Sequence, residues 1–235
     1  MNTIIVEGGK DMGNRIYPIG IQNFEKIRKE GYVYVDKTAL MYKLVKSGSY
    51  FFLSRPRRFG KSLLISTLEA YFEAKRDLFE GLAVETLEKD WVKRPVLHLD
   101  LNIGKYDTPD SLDKILNETL DYWESLYGTR SAETTLALRF AGVVGRAYEQ
   151  SGERVAILID EYDKPLLQAI GNEELQREFR NTLKPFYGVL KTMDGCIKFA
   201  LLTGVTKFGK VSVFSDLNNL NDISMDEPFI SICGI

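Results

Sequence analysis

Cysteine and histidine are scarce in this chain. Two cysteines, Cys196 and Cys233, are too few for a disulfide scaffold, and no Cys/His cluster offers a zinc site. The expectation is a reduced, cytoplasmic compartment. The single histidine, His98, lies inside the run "VLHLDL". A Ser-His-Asp triad would require it to leave that run, so core packing with a satisfied ring is its expected role. No apolar run approaches the roughly 18 residues that span a bilayer. The first residues, "MNTIIVEGGKDMG", show no basic stretch leading into an apolar one, so no signal peptide is read. Charge is not in excess either: 31 Lys and Arg face 33 Asp and Glu, a net −2. That balance gives no bulk attraction to nucleic acid or to an anionic membrane, although a local basic cluster can still hold phosphate.

What the chain does have is core. Of its 235 residues, 44% are hydrophobic, enough for one large domain or two small ones. Residues 1–20 are Gly-rich and irregular. Four short, nearly unbroken apolar runs read as strands: "YFFLS" (50–54), "PVLHLDL" (95–101), "RVAILID" (154–160) and "IKFALLT" (197–203). Helices are expected over 22–29, from the residues after Asp36 to Gly48, and over 61–75, 111–128, 131–150, 164–170 and 173–192. Strands that alternate with helices and are apolar throughout predict a three-layer α/β domain with a mostly parallel sheet. The chain ends on "EPFISICGI", apolar and strand-like, and is read as a piece of a longer protein.

In such sheets ligands bind beyond the carboxyl ends of the strands. At the first of these ends stands "SRPRRFGKSLL", between a strand and a helix. A phosphate loop aims several backbone N–H groups at one point and backs them with a helix N-terminus. Gly60 lets the backbone approach, Lys61 offers a charge to the outer phosphates, and Ser62 offers a hydroxyl to Mg²⁺. The usual spacing G-x-x-x-x-G-K-[ST] would place a first glycine at 55, where Arg55 stands, followed by Pro56 without an N–H. Arg57 and Arg58 add charge beside the phosphates, and Phe59 and Leu63 complete the expected contact stretch. The competing reading is a helix N-terminus with a basic, solvated turn.

The third strand ends in two adjacent acids, "VAILIDEYDKP" (155–165). Carboxylates at the edge of a core are costly without a metal or partner. Asp160 is assigned to Mg²⁺, usually through water, and Glu161 to the attacking water of a nucleoside-triphosphate hydrolase. Asp163 is expected to cap the helix that follows, with Pro165 in its first turn. On the fourth strand, Thr203 and then Thr206 are candidates to touch the γ-phosphate or the water, with an ordinary polar strand end as the alternative. Lys207 and Lys210 are further candidates for a phosphate or protomer contact. Asp100 is read as a cap or turn residue, and Trp91 and Trp123 as packing.

Taken together, "YVDKTALMYKLV", "FFLSRPRRFGKSLLISTLEAYF", "VLHLDL", "LIDEYDKPL" and "LLTGVTKFGKVSVFSDLNNLNDIS" resemble the bacterial AAA-ATPase-like family. That branch of P-loop ATPases typically writes its loop R-P-R-R-F-G-K-S, so Arg55 and Pro56 match its usual form. The resemblance runs from about Tyr17 to the end. It implies ATP with Mg²⁺, and an additional-strand core with sheet order 5-1-4-3-2. It also implies a lead segment, 1–48, on the adenine side of a core at 49–235 truncated at its C-terminus. Asp36, Lys37 and Thr38 would then line the base, with a simple helix cap as the alternative for Asp36. Longer relatives commonly carry a helical region and a nuclease-like PD-(D/E)XK domain, neither evident here. Two functions are expected from this reading. One is an ATPase acting as motor or regulator for an attached effector or within a homo-oligomer. The other is a nucleotide-dependent switch or scaffold with little hydrolysis.

Overall fold

The computed structural model describes residues 16–206 and 220–234. Five strands form one sheet: β1 Tyr50–Ser54, β2 Val96–Asp100, β3 Val155–Asp160, β4 Ile197–Gly204 and β5 Asn221–Asp222. All pairs are parallel, in the order β2-β3-β4-β1-β5, the 5-1-4-3-2 arrangement read in reverse. Two helices precede the sheet, α1 Phe24–Lys29 and α2 Thr38–Ser47. Parallel neighbours need crossovers, and from β1 to β4 helices provide them: α3 Lys61–Phe72, α4 Ala83–Leu87, α5 Ser111–Tyr127, α6 Leu136–Ser151, α7 Lys164–Gln168 and α8 Glu173–Thr192.

The strand period of two divides the core between the faces. Phe52, Ile157, Ile159, Ala200 and Leu202 pack against α5, α6 and α8, with Leu116, Phe140 and Phe186. Their neighbours Phe51, Leu53, Leu158, Phe199 and Leu201 pack against α1 to α4, with Phe24, Leu44, Ile65 and Leu68. Burial on both faces is why β1, β3 and β4 are almost wholly apolar. Each such side chain contributes about 1.5–3 kcal/mol when removed from water. The lead residues 16–48 share the second cluster, so in the described part they are one packed unit with the sheet.

Several boundaries move for local reasons. Helix α3 stops at Phe72 because Ala74 turns left-handed (φ 57°) and Lys75 N–H donates back to Ala70 O at 3.0 Å. Helix α6 begins at Leu136, not 131, because the Thr135 hydroxyl accepts from Leu138 N. The closing stretch is not a strand. Pro228 initiates a short 3-10 turn, Glu227–Phe229, and Phe229, Ile232 and Cys233 bury themselves against the α1–α4 layer. The position of His98 is also corrected. β2 is an edge strand buried on alternate residues, and His98 belongs to its less buried set, packed beside α3 with its Nδ1 3.4 Å from Glu69 Oε2. That carboxylate raises the imidazole pKa against the opposing effect of burial.

Candidate functional site

Parallel register places the strand ends in one row. Ser54 lies beside Gly204, Asp100 beside Asp160, and Ile159 beside Leu202, so Thr203 and Asp160 follow side by side. The chain leaves β1 by one further ladder bond, Arg55 N–H to Gly204 O at 3.1 Å. It then turns with Arg58 (φ 67°) and Gly60 (φ 78°) both left-handed, and α3 starts at Lys61. None of the backbone N–H groups from Arg57 to Leu63 donates to a described backbone carbonyl. Consecutive unpaired N–H groups ahead of a helix N-terminus form a concave, electropositive nest.

The Lys61 side chain is buried, 4% exposed. Its ammonium lies 3.0 Å from Arg55 O, 3.3 Å from Pro56 O and 3.2 Å from Glu161 Oε1. The loop residue and the acid a hundred positions later therefore meet at one rim. Asp160, 3% exposed, accepts through Oδ1 from the Thr203 hydroxyl and from Glu161 N–H at 3.1 Å. Glu161 itself is left-handed (φ 54°), a strained state for a residue with a Cβ. Its neighbours enforce it: Tyr162 N–H donates to Thr203 O at 2.9 Å, which holds the chain against β4 just past the strand. Burial raises the Glu161 pKa, and the Lys61 charge opposes that rise.

Asp163 corrects an expectation. It occupies the N-cap position of α7, but its carboxylate makes no bond to that helix. It reaches to the end of β4 and accepts from Val205 N–H at 3.1 Å, Thr206 N–H at 2.7 Å and the Thr206 hydroxyl at 2.8 Å. The Tyr162 hydroxyl donates to Thr206 O at 2.8 Å. Gly204 makes this closeness feasible, since a Cβ there would lie 2.4 Å from the Tyr162 ring. Asp100 behaves as read, accepting from Asn102 N–H at the start of a short turn.

Two cavities meet at the loop. One, of about 690 Å³, is lined by Arg57, Arg58, Lys61, Ser62 and Glu161, together with Asn102 and Lys164. The other, of about 500 Å³, is mostly apolar, between Tyr34, Met41, Leu64 and the closing residues Ile232–Gly234. Lys37 lines it, with Phe59 and Leu63, but Asp36 and Thr38 turn away. Asp36 accepts from Thr38 N–H and Ala83 N–H, both at 2.8 Å, and the Thr38 hydroxyl accepts from Val84 N–H. Arg55 also points elsewhere, its guanidinium bonded to the carbonyls of Ser54, Ser224 and Ile230. Lys207 and Lys210 lie outside the described residues.

Sequence reasoning passed over Lys164, which donates to Asn102 O and to Oδ1 at 3.0 Å at the mouth of the polar cavity. Its place four residues after Asp160, inside "DEYDKP", was the available signal. Nothing in the sequence marked Ile232–Gly234 as a cavity wall. For a divalent ion, the rim offers the Ser62 hydroxyl and the Asp160 carboxylate, both hard oxygen donors. Among the described residues no group of three or more His, Cys, Asp or Glu converges. Ser62 lines the polar cavity, whereas the Asp160 carboxylate is buried and already bonded to Thr203. Mg²⁺ is generally held by one or two such protein oxygens and completed by phosphate and water.

A protein of Azotobacter chroococcum mcd 1, named the uncharacterized protein in the vnfD 5′ region, is 43% identical over 225 residues. The match covers 95% of this chain and 43% of the relative, so the chain spans less than half of that relative's length. The family described as predicted AAA-ATPase matches residues 18–214, most of the chain and every rim residue discussed above up to Thr206. The chain belongs to the predicted AAA-ATPase family.

Proposed function

We propose that this chain binds ATP with Mg²⁺ at the carboxyl rim of its sheet and hydrolyses it. The observation that carries the reading is the meeting of Lys61 with Glu161 at 3.2 Å, beside Asp160 and Thr203 and below an unpaired N–H nest. In this reading the nest and Lys61 hold the outer phosphates, with Arg57 and Arg58 beside them. Ser62 and Asp160 hold Mg²⁺, whose charge would offset that of the phosphate oxygens. Glu161, its pKa raised by burial, takes the proton of a water that attacks the γ-phosphorus as the bond to the bridging oxygen breaks. Thr203 and Thr206 hold the far side of that position, and Asp163 fixes Thr206. The apolar cavity takes the base. Among the described residues its lining is mostly apolar, which suits a planar base. Residues 1–48 then act as the base-side cap of a core at 49–235, in the cytoplasm, serving an attached effector or a homo-oligomer. Among the described residues no helix is long and apolar enough to cross a membrane, and nothing in the charge balance supports nucleic acid.

One observation favours a second reading, a switch with little turnover. Lys61 and Glu161 neutralise each other directly, so neither is free to act until phosphate draws the lysine away. Calorimetric titration with ATP and GTP, with and without Mg²⁺, joined to phosphate release, separates the two. Hydrolysis requires Mg²⁺-dependent release; a switch binds with turnover near background. Unchanged ATP binding in Lys61→Ala rejects the site in both readings.

A further inference from the structure

Arg55 stands where a phosphate loop usually has glycine, yet its guanidinium faces away from the nest. It donates to three carbonyls: Ser54 O at 3.1 Å, Ser224 O, and Ile230 O at 3.1 Å. No carboxylate among the described residues pairs with it. Beside it, the Ser224 hydroxyl accepts from Ser54 N–H at 2.8 Å. The root of the loop is thus sewn to a segment some 170 residues later. That segment runs on to Ile232, Cys233 and Gly234, which line the apolar cavity. There it touches the loop again: a Cβ on Gly60 would lie 3.7 Å from Gly234 N, and one on Gly234 3.4 Å from the Phe59 ring. The planar fork of arginine suits it to bridge several fixed acceptors, which a point-charge ammonium does less well.

We infer that Arg55 is a positioning residue. It fastens residues 224–234 across the loop so that Ile232–Gly234 complete the wall of the apolar cavity, and it thereby sets affinity for the base, not for the phosphates. The inference rests on the proposal that this cavity takes the base of ATP.

The test is to titrate wild type, Arg55→Ala and Ile232→Ala with MgATP and with magnesium tripolyphosphate, which has the phosphates without the base. Both variants should lose about tenfold or more in ATP affinity, about 1.4 kcal/mol, and keep tripolyphosphate affinity near that of wild type. Equal loss of both ligands in Arg55→Ala would make Arg55 a phosphate contact and overturn the inference. So would a wild type that binds tripolyphosphate as tightly as ATP, which leaves the phosphate loop standing. A wild type that binds neither ligand would instead reject the proposed function. A second readout needs no nucleotide. Cys233 is buried in the wall, so maleimide should label it faster in Arg55→Ala, with the half-buried Cys196 as internal reference. An unchanged Cys233 rate would also overturn the inference. If the alanine variant does not fold, Arg55→Lys, which reaches fewer of the three carbonyls, should show the same pattern in smaller measure.

Discussion

Two lysine–glutamate pairs stand at opposite rims of the sheet, with Lys46 half-exposed in one and Lys61 buried in the other. Lys46 and Glu88 are 3.1 Å apart near the amino ends of the strands; Lys61 and Glu161 are 3.2 Å apart at the carboxyl ends. Their distances are nearly equal and their electrostatics are opposite. Burial acts to raise both carboxyl pKa values. At Glu88 the Tyr71 hydroxyl, the Asp90 N–H and Lys46 overcome it, and the pKa falls to about 2. The Lys89 N–H adds a further bond. At Glu161, among the described residues, only Lys61 opposes burial, the Asp160 and Asp163 charges add to it, and the pKa stays raised. The lesson concerns supply of donors. A carboxylate that only holds structure together is saturated with them. One left under-supplied, on strained backbone, keeps a basicity that chemistry can use.

The largest expected effect tests the under-supplied member. Glu161→Gln should lower ATP hydrolysis by about 10²–10⁴-fold, the usual contribution of a positioned general base. Its thermal stability should stay within about 1 kcal/mol of wild type, because a raised carboxyl pKa means that the ionised form already costs stability at neutral pH. Phosphate-release assays and thermal melts of one preparation measure both. Retained hydrolysis would break the comparison at its functional end. Glu88→Gln should do the reverse. It should cost about 2–3 kcal/mol of stability, since it weakens a buried, hydrogen-bonded charge, and leave turnover below the melting range unchanged.

The fold was largely legible, and the site less so, for one physical reason. Strands β1, β3 and β4 announce themselves because burial on two faces demands unbroken apolar runs. β5 does not, because Asn221 and Asp222 are polar and become a strand only by pairing with Phe51 and Phe52. At the site, the meeting of Lys61 with Glu161 could be anticipated because each follows directly on a strand whose end the apolar run marks. Asp163 was misread because a helix start beside it offered a sufficient local explanation, while its partners, Val205 and Thr206, lie some forty residues away. Arg55 and the cavity wall at Ile232–Gly234 were unreadable for the same reason at greater separation. "EPFISICGI" misled because hydrophobicity says that a segment is buried, and only Pro228 hinted that it turns.

A smaller effect appears in acid. Folded Glu88 is protonated only near pH 2, against 4.5 for the free side chain. Its contribution is therefore complete above about pH 4.5 and lost as pH falls toward 2, about 3 kcal/mol in all at 1.36 kcal/mol per pKa unit. Glu161 has the opposite sign and adds nothing to that loss. Denaturant melts between pH 5 and pH 2.5 should show a shallower decline in Glu88→Gln than in wild type, and a wild-type decline in Glu161→Gln. Equal slopes for all three proteins would mean that Glu88 is not held low, and the contrast between the pairs would fail.

The smallest effect sharpens the contrast by removing one donor. Tyr71→Phe deletes the hydroxyl that donates to Glu88 Oε2 and keeps the ring, which packs against Phe72, Phe79 and Trp91. The change therefore reads the hydrogen bond with little loss of packing. Stability should fall by about 1 kcal/mol, more if the second oxygen is left short of donors. The Glu88 carboxyl, followed by its carbon chemical shift in a pH titration, should move upward from about 2 toward the ordinary value. Lys46 and the Asp90 N–H remain, so the movement should be partial. Hydrolysis should not change, because the amino rim shares no hydrogen bond with Lys61, Asp160 or Glu161 among the described residues. A change in the proposed hydrolysis would mean that the two rims are coupled through α3, which carries Tyr71 at one end and Lys61 at the other. The two pairs would then be parts of one device.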